Sequence, residues 1–194
     1  IEIASASPEL FLEKKAAVIK STPIKGTAKS DNFGEKDRAE NVMIVDLMRN
    51  DFGSICKPGS VDVPRLLASE AHPGLFHLVS DVVGSLREDV KWEQITSALL
   101  PAGSISGAPK LSAIKSIKEI EKVERGPYCG VIGWVEGDQA LLSVGIRIFW
   151  SKEDGKINFG TGAGITWQSD PRGEWDETEL KANRLISIAS GVLV

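Results

Sequence analysis

Pro23-Ile24-Lys25-Gly26-Thr27 is the stretch around which the rest of the chain is arranged. Proline sets the entry dihedral, and glycine permits a tight change of direction with its backbone amides open. The lysine between them is presented on a rigid turn. Such a lysine is either a plain surface cation or a nucleophile whose amine is kept partly neutral by desolvation or a neighbouring cation. Five residues do not decide between the two; the flanking segments bear on the choice.

Upstream, Leu10-Phe11-Leu12 and Ala17-Val18-Ile19 flank a charged turn at Lys14-Lys15 and predict a hairpin over residues 9–21. Its second arm runs directly into the lysine turn. A hairpin returns the chain to its starting level, so Glu9 and Lys25 are expected at the same end. Downstream, residues 35–51 read as a helix with a broad apolar surface from Val42, Ile44, Val45, Leu47 and Met48, closed by Gly53 as its C-cap. Asp37 and Glu40 share a face of its first turns; acids there also complement the helix dipole.

Strands are expected over residues 59–70 and 74–86, the second carrying His77, and a short amphipathic helix over 91–100. A small-residue loop, residues 101–110, then opens onto a helix over 109–123, an arrangement suited to anions but not a Walker-type phosphate loop. A second hairpin, residues 128–135 and 140–150, leaves Ser143, Gly145 and Arg147 on one face. Arg147 is there either an ion-paired structural residue or a carboxylate clamp. A strand at 157–160 ends in Thr161-Gly162-Ala163-Gly164, where a ligand could lie against bare backbone. The last helix, residues 173–190, begins with Glu174 and Glu177, again three apart, with Lys181 one turn on. Two acid pairs that converged would form a four-carboxylate site for a hard cation such as magnesium. Pattern alone does not establish that convergence.

Hairpins alternating with helices, no repeat and no linker long enough to split the chain predict one α+β domain over 1–194, its helices packed outside antiparallel sheets. With 194 residues, 42% hydrophobic and 26% charged, the chain suits a soluble globular domain, and a net charge of −4 argues against general nucleic-acid binding. Cys56 and Cys129 have no metal-type spacing, and no run of about 20 apolar residues is present, so a reduced cytoplasmic setting is expected. The opening Ile1-Glu2-Ile3-Ala4 has no initiator methionine and reads as a domain lacking its N-terminal part.

Several of these segments, in this order, resemble the chorismate-utilising enzymes: the Pro-Ile-Lys-Gly-Thr turn, Asp37-Arg38-Ala39-Glu40-Asn41, Ile44-Val45-Asp46-Leu47-Met48-Arg49-Asn50-Asp51, Ser106-Gly107-Ala108-Pro109-Lys110, Gly145-Ile146-Arg147, Gly162-Ala163-Gly164-Ile165 and Glu174-Trp175-Asp176-Glu177-Thr178. The resemblance implies the chorismate-binding fold of anthranilate synthase component I. Within the family, alanine is usual at the third position of the turn in anthranilate synthases. Lysine there resembles the aminodeoxychorismate synthase branch of the 4-aminobenzoate and folate route, which aminates chorismate at carbon 4.

That branch implies Lys25 as covalent nucleophile and Glu9 as general acid or base. It implies Glu40 and Glu177 as principal magnesium ligands, with Asp37 and Glu174 in support. The family more often has glutamate at the Asp37 position. Arg147 and Tyr128 would bind the enolpyruvyl carboxylate, helped by the backbone of Gly162, Ala163 and Gly164. Thr27, His77 and Ser106 would complete the pocket, and Lys181 would brace the metal carboxylates. Gln168 stands where relatives often carry an acid. Ammonia would come from a glutamine amidotransferase partner, since neither cysteine here has a nucleophile's context. The alternatives are anthranilate synthase, an isochorismate or salicylate synthase, and a non-enzymatic binding fragment.

Overall fold

The computed structural model describes residues 1–153, 155–167 and 169–190. Gln168 therefore lies outside the described residues. In chain order the elements are β1 (Glu2–Ser5), β2 (Leu10–Lys15), β3 (Val18–Thr22), β4 (Ile24–Ala28), α1 (Glu35–Gly53), β5 (Asp62–His72) and β6 (Leu75–Ser85). They continue with α2 (Trp92–Leu99), α3 (Gly103–Ser106), α4 (Lys110–Ile120), β7 (Val131–Glu136), β8 (Gln139–Val144), β9 (Ile148–Ser151), β10 (Ile157–Phe159) and α5 (Pro171–Ser190). Every strand pair among the described residues is antiparallel. The chain forms two compact units. Among the described residues no helix is long and apolar enough to cross a membrane.

The larger unit comprises Pro8–Glu124 and Val131–Val144. Its sheet is built on β6, eleven residues long, which pairs with β5 along one side and with β3 and β4 in succession along the other. Pro23 joins those two strands, and its carbonyl accepts the Ser80 N–H at 3.3 Å, so the ladder runs on through the proline. Beyond β3 the order continues through β2 and β8 to β7. The lysine stretch is therefore a strand rather than a free turn. Between Ile24 and Thr27 its register against β6 shifts, and Gly26 takes φ +89, which is bulge geometry.

Helix α1 covers β6 because its inward residues recur at helical spacing: Asn41, Ile44, Val45, Met48 and Phe52 are all buried. Opposite them lie Leu78, Ser80, Val82 and Gly84, successive members of one strand face. A Cβ on Gly84 would come within 2.6 Å of Cys56 Sγ, so glycine is what lets the segment after the helix close on the sheet. Asn41 anchors the interface by donating to Leu78 O at 3.2 Å and accepting from the Ser80 hydroxyl. The helix does not end at a Gly53 cap. Gly53 is inside its last turn, and Ser54 caps it through its N–H and hydroxyl to Asp51 O. On the other face of β6, Asp81 is raised by burial, but hydrogen bonds from Arg65, Thr22 and Lys20 outweigh that and hold its carboxyl below its ordinary value.

The smaller unit comprises Ile1–Ser7, Arg125–Gly130 and Gly145–Val194. Its sheet has the order β1-β9-β10, with the Phe149 and Phe159 rings in tilted contact, 4.6 Å between centroids. The arm predicted over 140–150 is thus two strands. Backbone at Gly145–Arg147 breaks it, and Arg147 sits at φ +50. The long final helix is as expected. Its N-cap is Asp170, which accepts the Gly173 N–H at 2.7 Å, with Pro171 at the first helical position.

Candidate functional site

In the larger unit, the hairpin does bring Glu9 and Lys25 together. Glu9 immediately precedes β2, and its carbonyl accepts the Val144 N–H at 3.0 Å. Its side chain is buried, and burial pushes the carboxyl above its ordinary value; Ser104 and the Lys25 charge oppose the shift. The Ser104 hydroxyl lies near enough to act on that carboxyl, yet it meets no partner at full hydrogen-bond geometry. Lys25, half-buried, donates to the Ser104 carbonyl at 3.4 Å. The bulge that presents Lys25 depends on glycine: a Cβ on Gly26 would lie 3.0 Å from Asp37 Cβ and 3.1 Å from Phe33. Bulge and α1 are thereby packed against each other.

Thr27 opposes His77 across the β4–β6 ladder, and the buried His77 ring tilts against His72 at 4.6 Å. Ser106 is buried and donates to Ala102 O at 3.2 Å within its own short helix. Asp37 accepts the Gly34 N–H at 3.1 Å, while Glu40 faces Lys36 at 3.8 Å. Ser104 was not singled out by sequence. Nothing distinguishes it from its small neighbours until the loop is seen to reach Lys25.

In the smaller unit, Tyr128 is laid against the backbone of the small-residue stretch. A Cβ on Gly160 would fall 2.2 Å from Tyr128 Cγ, and one on Gly162 would fall 3.0 Å from its hydroxyl. Arg125 lies 5.9 Å over the same ring. The half-buried Arg147 makes no side-chain hydrogen bond or ion pair among the described residues. Ala163 is half-buried and Gly164 exposed, so this backbone is accessible. Glu174 is buried and accepts the Ser169 hydroxyl at 2.6 Å; Glu177 pairs with Lys181 at 2.6 Å.

Each helix start supplies carboxylate oxygens and nothing softer, which is donor chemistry suited to a hard divalent cation. Among the described residues no three His, Cys, Asp or Glu are grouped to hold a metal ion; each acid pair belongs to its own unit.

The family described as chorismate binding enzyme matches residues 1–187. Anthranilate synthase component 1 of Saccharolobus solfataricus is 37% identical over 198 residues, covering 94% of this chain and 47% of that protein. Aminodeoxychorismate synthase component 1 of Salmonella typhimurium is 38% identical over 198 residues, covering 95% and 43%. The crystal structure of anthranilate synthase component I from Streptococcus pneumoniae TIGR4 matches with a TM-score of 0.80 at 34% identity, over 94% of this chain and 43% of that one. The α+β fold of antiparallel sheets and covering helices is thus a known one. The chain spans less than half the length of these relatives.

Proposed function

We propose a reaction for this protein from the premise that its chain belongs to the chorismate binding enzyme family: it aminates chorismate at carbon 4, as an aminodeoxychorismate synthase component I. Relatives of nearly equal identity carry two different names, so identity does not choose between anthranilate synthase and aminodeoxychorismate synthase. The observation that carries the choice is Lys25, held on the β4 bulge beside the buried acid Glu9.

In this reading the uncharged Lys25 amine attacks carbon 2 while the ring double bonds shift and the bond from carbon 4 to its hydroxyl breaks. Glu9, whose buried carboxyl keeps its proton to higher pH than usual, donates that proton so that water leaves. Ammonia then adds at carbon 4, the double bonds shift back, and the Lys25 amine is released, with Glu9 carboxylate accepting a proton. Covalent occupation of carbon 2 directs the nitrogen to carbon 4 and divides one difficult displacement into two steps.

Arg147 and Tyr128, with the backbone of Gly162, Ala163 and Gly164, bind the enolpyruvyl carboxylate; Thr27, His77 and Ser106 shape the pocket. Magnesium is the proposed cofactor, with Glu40 and Glu177 as its ligands, Asp37 and Glu174 in support, and Lys181 as a brace. When bound it would neutralise the ring carboxylate. A glutamine amidotransferase is the proposed source of ammonia, in the 4-aminobenzoate and folate route, with the cytoplasm as the setting.

The test is product identification by mass spectrometry after incubation with chorismate, magnesium and ammonium, beside a Lys25→Ala variant. The expected result is 4-amino-4-deoxychorismate, lost in the variant. Anthranilate would overturn the assignment to carbon 4. Isochorismate or salicylate formed without ammonia would move the protein to a water-using branch, and no product would favour a non-enzymatic role.

A further inference from the structure

We propose that Asp51 and Lys110 are positioning residues that hold the Ser104 loop against Lys25 and Glu9. The inference rests on the reading of Lys25 and Glu9 above. Lys110 Nζ stands 2.6 Å from Asp51 Oδ2 and also donates to Ala98 O at 3.3 Å. Ala98 lies in the last turn of α2, Lys110 opens α4, and Asp51 closes the last turns of α1. One ammonium thus ties both ends of the segment 98–110 to the helix beneath it. Both side chains are largely buried, at 19% and 16% exposure.

Between those tied ends runs α3. Gly103 backs onto α1 so closely that a Cβ there would lie 3.4 Å from Leu47 Cβ. The next residue is Ser104, whose carbonyl accepts from Lys25 and whose hydroxyl lies near the Glu9 carboxyl. The geometry therefore forms a chain of contacts: Asp51 to Lys110, Lys110 to both ends of the loop, and the loop to the two proposed reacting groups.

Stability alone gives a poor account of this ion pair. Asp51 borders a void of about 10 Å³ walled by Phe11, Met48, Phe52 and Leu99, and burial pushes its carboxyl upward against the pull of Lys110. Apolar residues of matching size at such a site are often as stable as a buried pair or more so. What they lack is direction. Three donor hydrogens on one ammonium can engage Asp51 and Ala98 O together and set the loop's height.

The test compares the protein with Asp51→Leu/Lys110→Met, which removes both charges, and with Lys110→Gln, which keeps a shorter donor. Glutamate labelled at its carboxyl carbon reports the Glu9 titration by NMR, the signal being assigned through Glu9→Gln. Acetic anhydride labelling, read by peptide mass spectrometry, reports Lys25 reactivity relative to the exposed Lys57. The double variant is expected to stay folded and to titrate Glu9 at higher pH, since Ser104 no longer opposes burial. Its Lys25:Lys57 labelling ratio is expected to change several-fold, and Lys110→Gln to fall between it and the unaltered protein. Unchanged Glu9 titration and Lys25 labelling in either folded variant would overturn the proposal and leave the pair a structural tie. Neither readout needs turnover. A protein that gave these shifts yet failed to aminate chorismate would sink the reaction and leave the clamp standing.

Discussion

The starts of α1 and α5 carry the same motif, two acids three residues apart, and use it differently. At α1 the N-cap is Gly34, which has no side chain to offer, so Asp37 reaches back to the Gly34 N–H. At α5 Asp170 already caps the helix, so Glu174 turns inward, buried, to the Ser169 hydroxyl. The second acids differ as well. Glu40 faces Lys36, one turn earlier, at 3.8 Å; Glu177 holds Lys181, one turn later, at 2.6 Å. Glutamate preceding lysine is the better order on a helix. In each pair the first acid has a local structural partner, and the second is held, among the described residues, by a lysine. The residue that performs the cap decides what the first acid does.

The sharpest way to break this comparison is to neutralise the acids singly and measure magnesium-supported turnover of chorismate. Glu40→Gln and Glu177→Gln are expected to lose more than about 100-fold, and Asp37→Asn about 10–100-fold, the cost typical of a supporting partner. Equal losses at 37 and 40 would erase the division between supporting and direct ligands.

Stability should rank the first acids the other way. Glu174→Ala removes a buried, charge-assisted hydrogen bond and is expected to cost about 1.5–3 kcal/mol in denaturant unfolding. Asp37→Ala removes a cap contact worth roughly 0.5–2 kcal/mol. A larger loss at 37 would mean that capping, not burial, dominates.

Glu9 sharpens the contrast as an acid assigned no metal. Its folded value is raised above the ordinary 4.5, so above that pH the unfolded chain has released a proton that the folded chain still binds. Stability should therefore fall as pH climbs from the ordinary value towards the raised one, by at most about 1.4 kcal/mol per pH unit. Glu9→Gln should flatten that slope, and a slope unaltered in the variant would show that another group produces it. The smallest effects belong to the lysines. Lys181→Met is expected to cost about 0.3–0.5 kcal/mol and Lys36→Met less, as partly exposed pairs do.

Much of this was legible in the residues. The charged stretch at Lys14-Lys15 implied the hairpin that brings Glu9 to Lys25, because that inference needs only local pairing, although those lysines end β2 and the turn itself falls at Ala16-Ala17. Helix α1 followed from its apolar spacing, and α5 from its length. What failed depended on distant partners. Pro23-Ile24-Lys25-Gly26-Thr27 reads locally as a turn; it is a strand because β6, some fifty residues on, supplies its hydrogen bonds. The strand Glu2–Ser5 is exposed throughout and exists only through its pairing with Ile148–Ser151. The single arm expected over 140–150 broke because Arg147 takes a left-handed backbone, which alternation does not reveal. Gly53 reads as a stop, but the Ser54 hydroxyl provides a better one. The Ser104 loop and its tie to Asp51 require three segments brought together, and no spacing along one of them records that.

The pairing of β2 with β8, Leu10 beside Ser143, joins residues separated by most of the chain. During synthesis Glu9 leaves the ribosome long before Val144, whose N–H fixes its carbonyl. The intervening helices and hairpins can form while translation continues, but the edge beside Glu9 must wait for a distant strand, the kind of pairing that makes folding slow. The proposed proton donor is therefore made well before the strand that completes its surroundings.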